Sequence, residues 1–493
     1  MREADKLRRR ASTLHPHTHT PHTPHTMAGS GGGVAESGAA DVGGSRHDGR
    51  VSARTRDGRI GLAEGIALYI ASVLGTGLLA LPALAAQAAG PGSILAVAAV
   101  IVLAIPLAGT FAALAARYPD PGGVASYVRR ALGPTAARMT GYWFMFGVAA
   151  GGPVVAVLGA QYVALTAGID ASAVPILALA FILIPLGVNA FGVRMAGGVQ
   201  LVLTALLVGV VITVVWAAAP SVDPRNFEPF LPHGLGGVGT AVVLFVWAFA
   251  GWEVGTHISG EFRDPRRAVL IGTAVTLVLS GACYLVLQVV TVGALGPAAG
   301  TSAAPLLDLA ALADSPVARV AVGVVGAIVA LGVLNAYLAA FAKLGASLAE
   351  NGDLPRWFSA GVGAGAVPRP ALALTAVVMS AYFTLLLVTG LDLTPFVLVH
   401  TSSMTAIYVL GMIAAVRILE RWTWGWWTAI LATILSAGLL VLAAGALLPA
   451  TALALVALSI TLVRQRRTRT VARPPAGAET DERPMESSTV SPL

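Results

Sequence analysis

Between about residues 60 and 465 this chain repeats one feature: runs of about twenty apolar residues joined by short loops that carry most of the charge. A helix of about twenty residues crosses a hydrocarbon core. In lipid, every backbone N–H and C=O must be satisfied within the protein, which leaves helices or a closed barrel. Runs of this length without period-two alternation select helices. With 56% hydrophobic and only 11% charged residues, the chain reads as an all-α polytopic membrane protein. One cysteine, Cys283, excludes disulfides and clustered thiolate metal sites, and it reads as a small core residue.

Twelve transmembrane helices are predicted, at about 62–89, 93–116, 139–167, 172–190, 197–217, 238–260, 268–293, 318–342, 371–390, 394–416, 424–445 and 447–463. Residues 1–58 are rich in Gly, Ser, His and Arg without apolar periodicity and read as a disordered tail. Residues 464–493, opening "RQRRTRTVAR", read as a second one. The tract "HPHTHTPHTPHT" has a metal-binding composition, but alternating Pro and Thr make it low-complexity sequence, and no metal site is assigned to it. No short apolar region with a cleavage site is present, so no removed signal peptide is expected.

Orientation follows from the arginines. With the N-terminus inside, the inner loops hold Arg117, Arg129, Arg130, Arg138, Arg194, Arg263, Arg266, Arg267, Lys343, Arg356, Arg369, Arg417 and Arg421, and the outer segments only Arg225 and Arg319. Basic residues favour the cytoplasmic side, so both termini are expected to be cytoplasmic, in a plasma (inner) membrane. The net charge of +7 is then a matter of topology, and no nucleic-acid partner is expected. Trp422, Trp424, Trp426 and Trp427 beside Arg421 read as an interfacial anchor.

Two spans are weakened at their centres. In "SVLGTGLLALP", Gly75, Thr76 and Gly77 fall near the bilayer midplane, and Pro82 removes the helical donor of the Leu78 carbonyl. Alone, this is a kink or a packing face. The sixth span repeats it in "VWAFAGWEVGTHISG", with Phe249, Ala250, Gly251, Trp252 and Glu253 around its centre. Five spans separate the two, so they cross in opposite directions, as in an inverted repeat of spans 1–5 and 6–10. A break at mid-membrane exposes N–H groups on one half-helix and carbonyls on the other, which suit an anion and a cation. A zwitterionic amino acid offers both. Donors at Thr76, Gly77 and Leu78 would take its carboxylate, and carbonyls near Ser72, Val73, Phe249 and Ala250 its ammonium.

Charge at membrane depth is scarce. Glu253 lies roughly 6 Å from the centre of its span, where an acid costs about 2.5–3.5 kcal/mol on insertion scales unless it is paired, protonated or facing a cavity. It reads equally as a proton-coupling group or as a brace for unwound backbone. His257, one turn on, accepts a proton from it or caps the helix. Glu64 and His400 lie nearer span ends, where solvation is easier, and Asp392 reads as a loop residue; none is expected at the site.

The chain resembles the amino acid-polyamine-organocation transporters, through "GTGLLALP" in the first span, "FAGWE" in the sixth, "EFRDPRRAV" after it, "YPDPGGVASYV" after the second and "LAENGDLP" after the eighth. The similarity covers about residues 60–465. Within the family it is most similar to the branch that exports methionine and branched-chain amino acids, through "SVLGTGLLALPALAA" and the run from "YPDPGGVASYV" to "TGYWF". The resemblance implies a five-plus-five inverted-repeat core of the LeuT type (about 60–217 and 238–416), two extra C-terminal helices (424–463) and alternating access. It further implies that Ser72, Gly75, Thr76 and Gly77 bind the substrate carboxylate, and that Phe249, Ala250, Gly251 and Trp252 hold the amino group and form a gate. Glu253 matches the acid of the family's "FxGxE". "LAENGDLP" departs from the usual "ARDGxLP" at the arginine position.

Span 8 offers only Asn335, Tyr337 and Ser347 as side-chain oxygens, unclustered, which does not suit a fixed sodium site. The expectation is a proton gradient as the coupling source, no cofactor, and outward movement of a neutral amino acid. An uncharged substrate side chain follows from the lack of a second acid or a base at midplane depth. Asn335 and Met145 are candidate side-chain contacts, although Asn335 equally suits a bond to a neighbouring helix. An uptake permease or exchanger remains open. An intramembrane enzyme would need Ser with His, paired Asp or an HExxH run at depth, and a channel would need a charged ring; the sequence has neither.

Overall fold

The computed structural model describes residues 61–118, 123–192, 197–253, 262, 264–313, 315–361 and 367–471. The N-terminal tail with its histidine-rich tract, His257, and the C-terminal tail beyond Val471 lie outside the described residues.

Among the described residues the elements are all helices. In chain order they are α1 Leu62–Leu74, α2 Gly77–Ala89, α3 Ser93–Arg117, α4 Gly123–Leu132, α5 Pro134–Tyr142, α6 Gly151–Ala167, α7 Val174–Ala190 and α8 Gly197–Ala218. The second half has α9 Gly234–Phe245, α10 Pro265–Leu295, α11 Pro305–Ala311, α12 Pro316–Glu350, α13 Arg369–Val388, α14 Thr394–Ile418, α15 Trp424–Leu442 and α16 Leu448–Val471. Helices therefore lie where the apolar runs predict them. The last one continues past 463 into the basic segment read as the start of a tail.

Nine helical stretches among the described residues are long and apolar enough to cross a membrane, and α9 and Leu448–Val463 are shorter apolar helices. The chain is an integral membrane protein. Its apolar side chains divide accordingly. One continuous buried cluster runs through α1, α2, α3, α6, α10, α12 and α14, with Leu74, Leu78, Val154, Leu287, Leu338 and Ile407 among its members. Other large apolar side chains point outward, such as Ile176 on α7, Trp216 on α8 and Val388 on α13. In water such a surface would mark an interaction site; against lipid tails it is the solvated face.

The neighbours of the broken helices are fixed by packing. α10 lies along both α1 and α3, α2 pairs with α9, and α12 packs on α6, α7 and α13. After α14, Trp422, Trp426 and Trp427 meet edge-on or tilted, with Trp426 and Trp427 centroids 4.9 Å apart, and Trp422, Trp424 and Trp427 are exposed, an arrangement that suits an interfacial belt.

Candidate functional site

The first helix breaks where its glycines allow. α1 ends at Leu74, Gly75 and Thr76 form a turn, and α2 begins at Gly77. Gly75 has φ +25°, a region that L side chains rarely adopt. At the start of a helix the first N–H groups lack intrahelical acceptors. The Thr76 side chain does not cap α2, so these donors keep the orientation that suits a carboxylate.

The sixth predicted span behaves likewise. α9 stops at Phe245, and residues 246–253 continue as turns, with Phe249 N–H donating to Phe245 O at 3.2 Å and Ala250 N–H to Trp247 O at 3.2 Å. Gly251 has φ +133°. A β-carbon there would lie 2.6 Å from the carbonyl oxygen of Ser72. The two breaks thus meet backbone to backbone. Ser72 Oγ donates to Tyr69 O at 2.7 Å and reaches Gly251 O at 3.4 Å.

Glu253 is 7% exposed. Its Oε2 accepts from Gly251 N–H at 3.2 Å and from the Tyr408 hydroxyl of α14, also at 3.2 Å. The carboxyl therefore holds the unwound backbone, and its second bond ties that backbone to the tenth predicted span. Both readings of Glu253 remain compatible with this geometry, because a brace that exchanges a proton is also a coupling group.

The remaining candidates fall into two groups. Phe249 and Trp252 are buried beside the break; Phe249 packs against Tyr284 with centroids 5.5 Å apart, and Trp252 Nε1 has no hydrogen-bond partner among the described residues. Asn335 and Met145 are engaged elsewhere. Asn335 Oδ1 accepts from Asn189 Nδ2 of α7 at 2.8 Å, the helix-to-helix bond that its residue type also suits. Met145 is fully buried against the Gly345 and Ala371 region of α12 and α13.

Tyr284 of α10 touches the first break and is not singled out by the sequence reading. Its hydroxyl donates to Leu74 O at 3.0 Å and lies 3.5 Å from Val73 O. It caps the end of α1, next to the Val73 carbonyl expected to face an ammonium. A β-carbon on Gly77 would collide with this hydroxyl. His400 also differs from expectation. It is 2% exposed and stacked on Trp247, because a local unwinding of the third predicted span brings backbone against it.

The surroundings of the breaks differ between the two ends of the bundle. At one end Asp353, in "LAENGDLP", pairs with Arg138 Nε at 2.6 Å and with Arg129 at 3.6 Å, while its backbone carbonyl accepts from the Tyr142 hydroxyl at 2.6 Å. Arg138 also donates to Thr461. On the same flank Phe262 seats against Gly65 of α1 and packs with Tyr69 and Val269. At the other end a cavity of about 210 Å³ opens between α2 and α6, lined by Ala83, Gln87, Gln161, Ser302 and Asp392. Beside Gly75 itself the open space is only about 10 Å³.

A family model described as "Amino acid permease" matches residues 60–463, the whole of the helical region that carries both breaks. The chain belongs to the amino acid permease family. It is a family of transporters rather than enzymes. Among similar members is the "Uncharacterized amino acid permease YecA" of Bacillus subtilis, 29% identical over 74% of this chain and 87% of that protein. The "L-methionine/branched-chain amino acid exporter YjeH" of Escherichia coli is 29% identical over 73% of this chain and 86% of that protein. The "Aromatic amino acid transport protein AroP" of Corynebacterium glutamicum is 26% identical over 59% of this chain and 66% of that protein. For this permease the two breaks are the candidate place of amino acid transport.

Proposed function

We propose that this permease is a secondary active exporter of neutral amino acids, moving methionine and branched-chain amino acids outward as protons enter, by alternating access. The observation that carries the reading is the apposition of Gly251 with the Ser72 carbonyl, which brings the two breaks together. In this reading the first-turn N–H groups of α2, with Ser72, Gly75, Thr76 and Gly77, hold the carboxylate. Carbonyls of the 246–253 segment hold the ammonium, and Phe249, Ala250 and Trp252 gate the side chain. Met145 and Asn335 are further candidate side-chain contacts of the substrate. Similarity to YjeH supports the substrate class and direction. Glu253, with His257 beyond it, is the coupling acid.

The topology belongs to the same proposal. The first of the nine long stretches holds two crossings, since it runs Gly65–Arg117 through the break and the Gly90–Gly92 turn. With the two shorter helices added, twelve crossings result, in five-plus-five inverted repeats with α15 and α16 as the extra pair and both termini cytoplasmic. The Arg138–Asp353 end is then the inner one, and the 210 Å³ cavity an outer vestibule. Relatives named as permeases support an uptake or exchange reading as the alternative, among them the "Branched-chain amino acid permease BcaP" of Bacillus subtilis, 24% identical over 46% of this chain and 52% of that protein.

The test is flux in proteoliposomes of the full chain under an imposed pH gradient, with labelled leucine, methionine and lysine. Leucine and methionine are expected to move against the proton flow. Lysine flux without leucine or methionine flux contradicts the substrate class, and flux indifferent to the gradient contradicts proton coupling.

A further inference from the structure

The third predicted span contains an interruption of its own. α5 ends at Tyr142, a π-helical stretch runs Trp143–Gly147, a 3-10 turn follows at Val148–Ala150, and only then does α6 begin. π-Helical turns shift carbonyls out of the regular ladder and recur at functional sites. Two of these carbonyls face side chains from distant helices. Phe146 O accepts from the Tyr382 hydroxyl at 2.8 Å, and Val148 O lies 2.9 Å from His400 Nδ1.

That second contact fixes the chemistry of the imidazole. A carbonyl oxygen cannot donate, so Nδ1 carries a hydrogen and the neutral ring keeps its lone pair at Nε2. His400 is 2% exposed, and Nε2 has no hydrogen-bond partner among the described residues. The ring lies flat on Trp247, with centroids 5.1 Å apart and planes inclined by 17°. Gly151 makes room for it, because a β-carbon there would be 2.7 Å from Nδ1.

We propose that Nε2 of His400 is a second proton-binding station of this transporter, separate from Glu253. The inference rests on the proton-coupled reading above and deepens it. When alternating access opens the ring to water, a proton forms the N–H bond at Nε2 while Nδ1 keeps its hydrogen, donated to Val148 O, so the ring becomes an imidazolium without moving. Its charge lies over the face of an indole at a distance where cation–π attraction operates. The groups facing it are Val148 O from the interruption, Trp247 from the segment after α9, and the Tyr337 hydroxyl of α12, 3.4 Å from Nδ1. Tyr337 is the titratable one. Glu253 is bonded to Tyr408, two turns further along α14, roughly 12 Å by helical rise. The station is thus next to the broken segment, since Trp247 lies four residues before Gly251.

The competing role is a brace in which only the Nδ1 bond matters. His400→Asn separates the two, because its amide nitrogen can stand where Nδ1 stands while nothing replaces Nε2. His400→Gln is the second variant. The full chain is reconstituted in proteoliposomes, and leucine counterflow without a gradient is compared with leucine flux driven by a pH gradient over about pH 5–8. Both variants are expected to keep counterflow within about twofold and to lose gradient-driven flux by at least tenfold, a loss of about 1.4 kcal/mol of coupling. Gradient-driven flux as in the wild type overturns this inference alone. A wild type indifferent to the gradient overturns it together with the coupled reading. Failure of both variants to accumulate assigns His400 to bracing the interruption and also overturns it.

Discussion

The Ser72 carbonyl oxygen lies 2.6 Å from the place a β-carbon on Gly251 would take, so no side chain fits between the two helix breaks. Gly251→Ala would also impose a φ near +133° on an L residue, a strain of about 1–3 kcal/mol. Overlap with the carbonyl adds a similar amount. The expected outcome is at least a tenfold loss of leucine counterflow, with a lowered melting temperature in detergent. Wild-type flux in this variant would mean that the breaks separate during transport more than the structure shows.

Glu253→Gln keeps the shape of the side chain and an oxygen for Gly251 N–H and Tyr408, but removes the exchangeable proton. Counterflow is expected to persist, while the response to an imposed pH gradient disappears. A variant that fails to accumulate would instead assign Glu253 to bracing the unwound backbone. Protein yield and gradient-driven flux, measured side by side, separate the two.

Tyr284→Phe keeps the ring against Phe249 and Phe245 and deletes the hydroxyl that Leu74 O accepts from at 3.0 Å. A buried carbonyl left without its donor costs about 1–3 kcal/mol. Thermal unfolding in detergent is expected to show that loss. Because the freed Leu74 and Val73 carbonyls suit an ammonium, apparent affinity for methionine is expected to hold or rise, which a competition assay reads.

Asp353 and Arg138 form a buried ion pair. Breaking such a pair from one side leaves an uncompensated charge and costs about 3–5 kcal/mol. Asp353→Asn is therefore expected to lower stability strongly, whereas the double variant Asp353→Asn with Arg138→Gln recovers part of it. A double-mutant cycle on melting temperature gives the coupling directly.

The cavity between α2 and α6 predicts accessibility. Cys283 is the only cysteine in the chain and is buried, so a thiol placed at Gln87 in a Cys283→Ser background reports alone. A membrane-impermeant maleimide is expected to label it from outside intact cells, and saturating methionine to change the rate. Labelling only after the cells are opened would reverse the assigned orientation.

The apolar helices and the two breaks are legible in the sequence because hydrophobic length, glycine and proline act locally. Gly75 and Gly251 stand where a positive φ is needed, and nothing distant has to be known to expect it. Tyr284 and His400 are not legible in the same way. Tyr284 bonds a carbonyl 210 residues away, and His400 one 252 residues away, so their roles exist only once the helices are packed. The interruption at 143–150 lies just before Pro153, which removes the helical donor of the Ala149 carbonyl, while its "WFMFGVAAGG" reads by hydropathy as an ordinary apolar run. In the packed structure Tyr382 and His400 meet two of its carbonyls. Hydropathy alone puts His400 near a span end, where water is close; the packed bulge removes that water.

The central claim is that paired backbone breaks hold both charged ends of a neutral amino acid. Competition against labelled methionine counterflow tests it most directly, using 3-(methylthio)propylamine, which lacks the carboxylate, and 4-(methylthio)butanoate, which lacks the amino group. The account predicts that methionine and leucine compete and that neither analogue does at a hundredfold higher concentration, about 2.7 kcal/mol of lost binding. Competition by either analogue as strong as by methionine would contradict it.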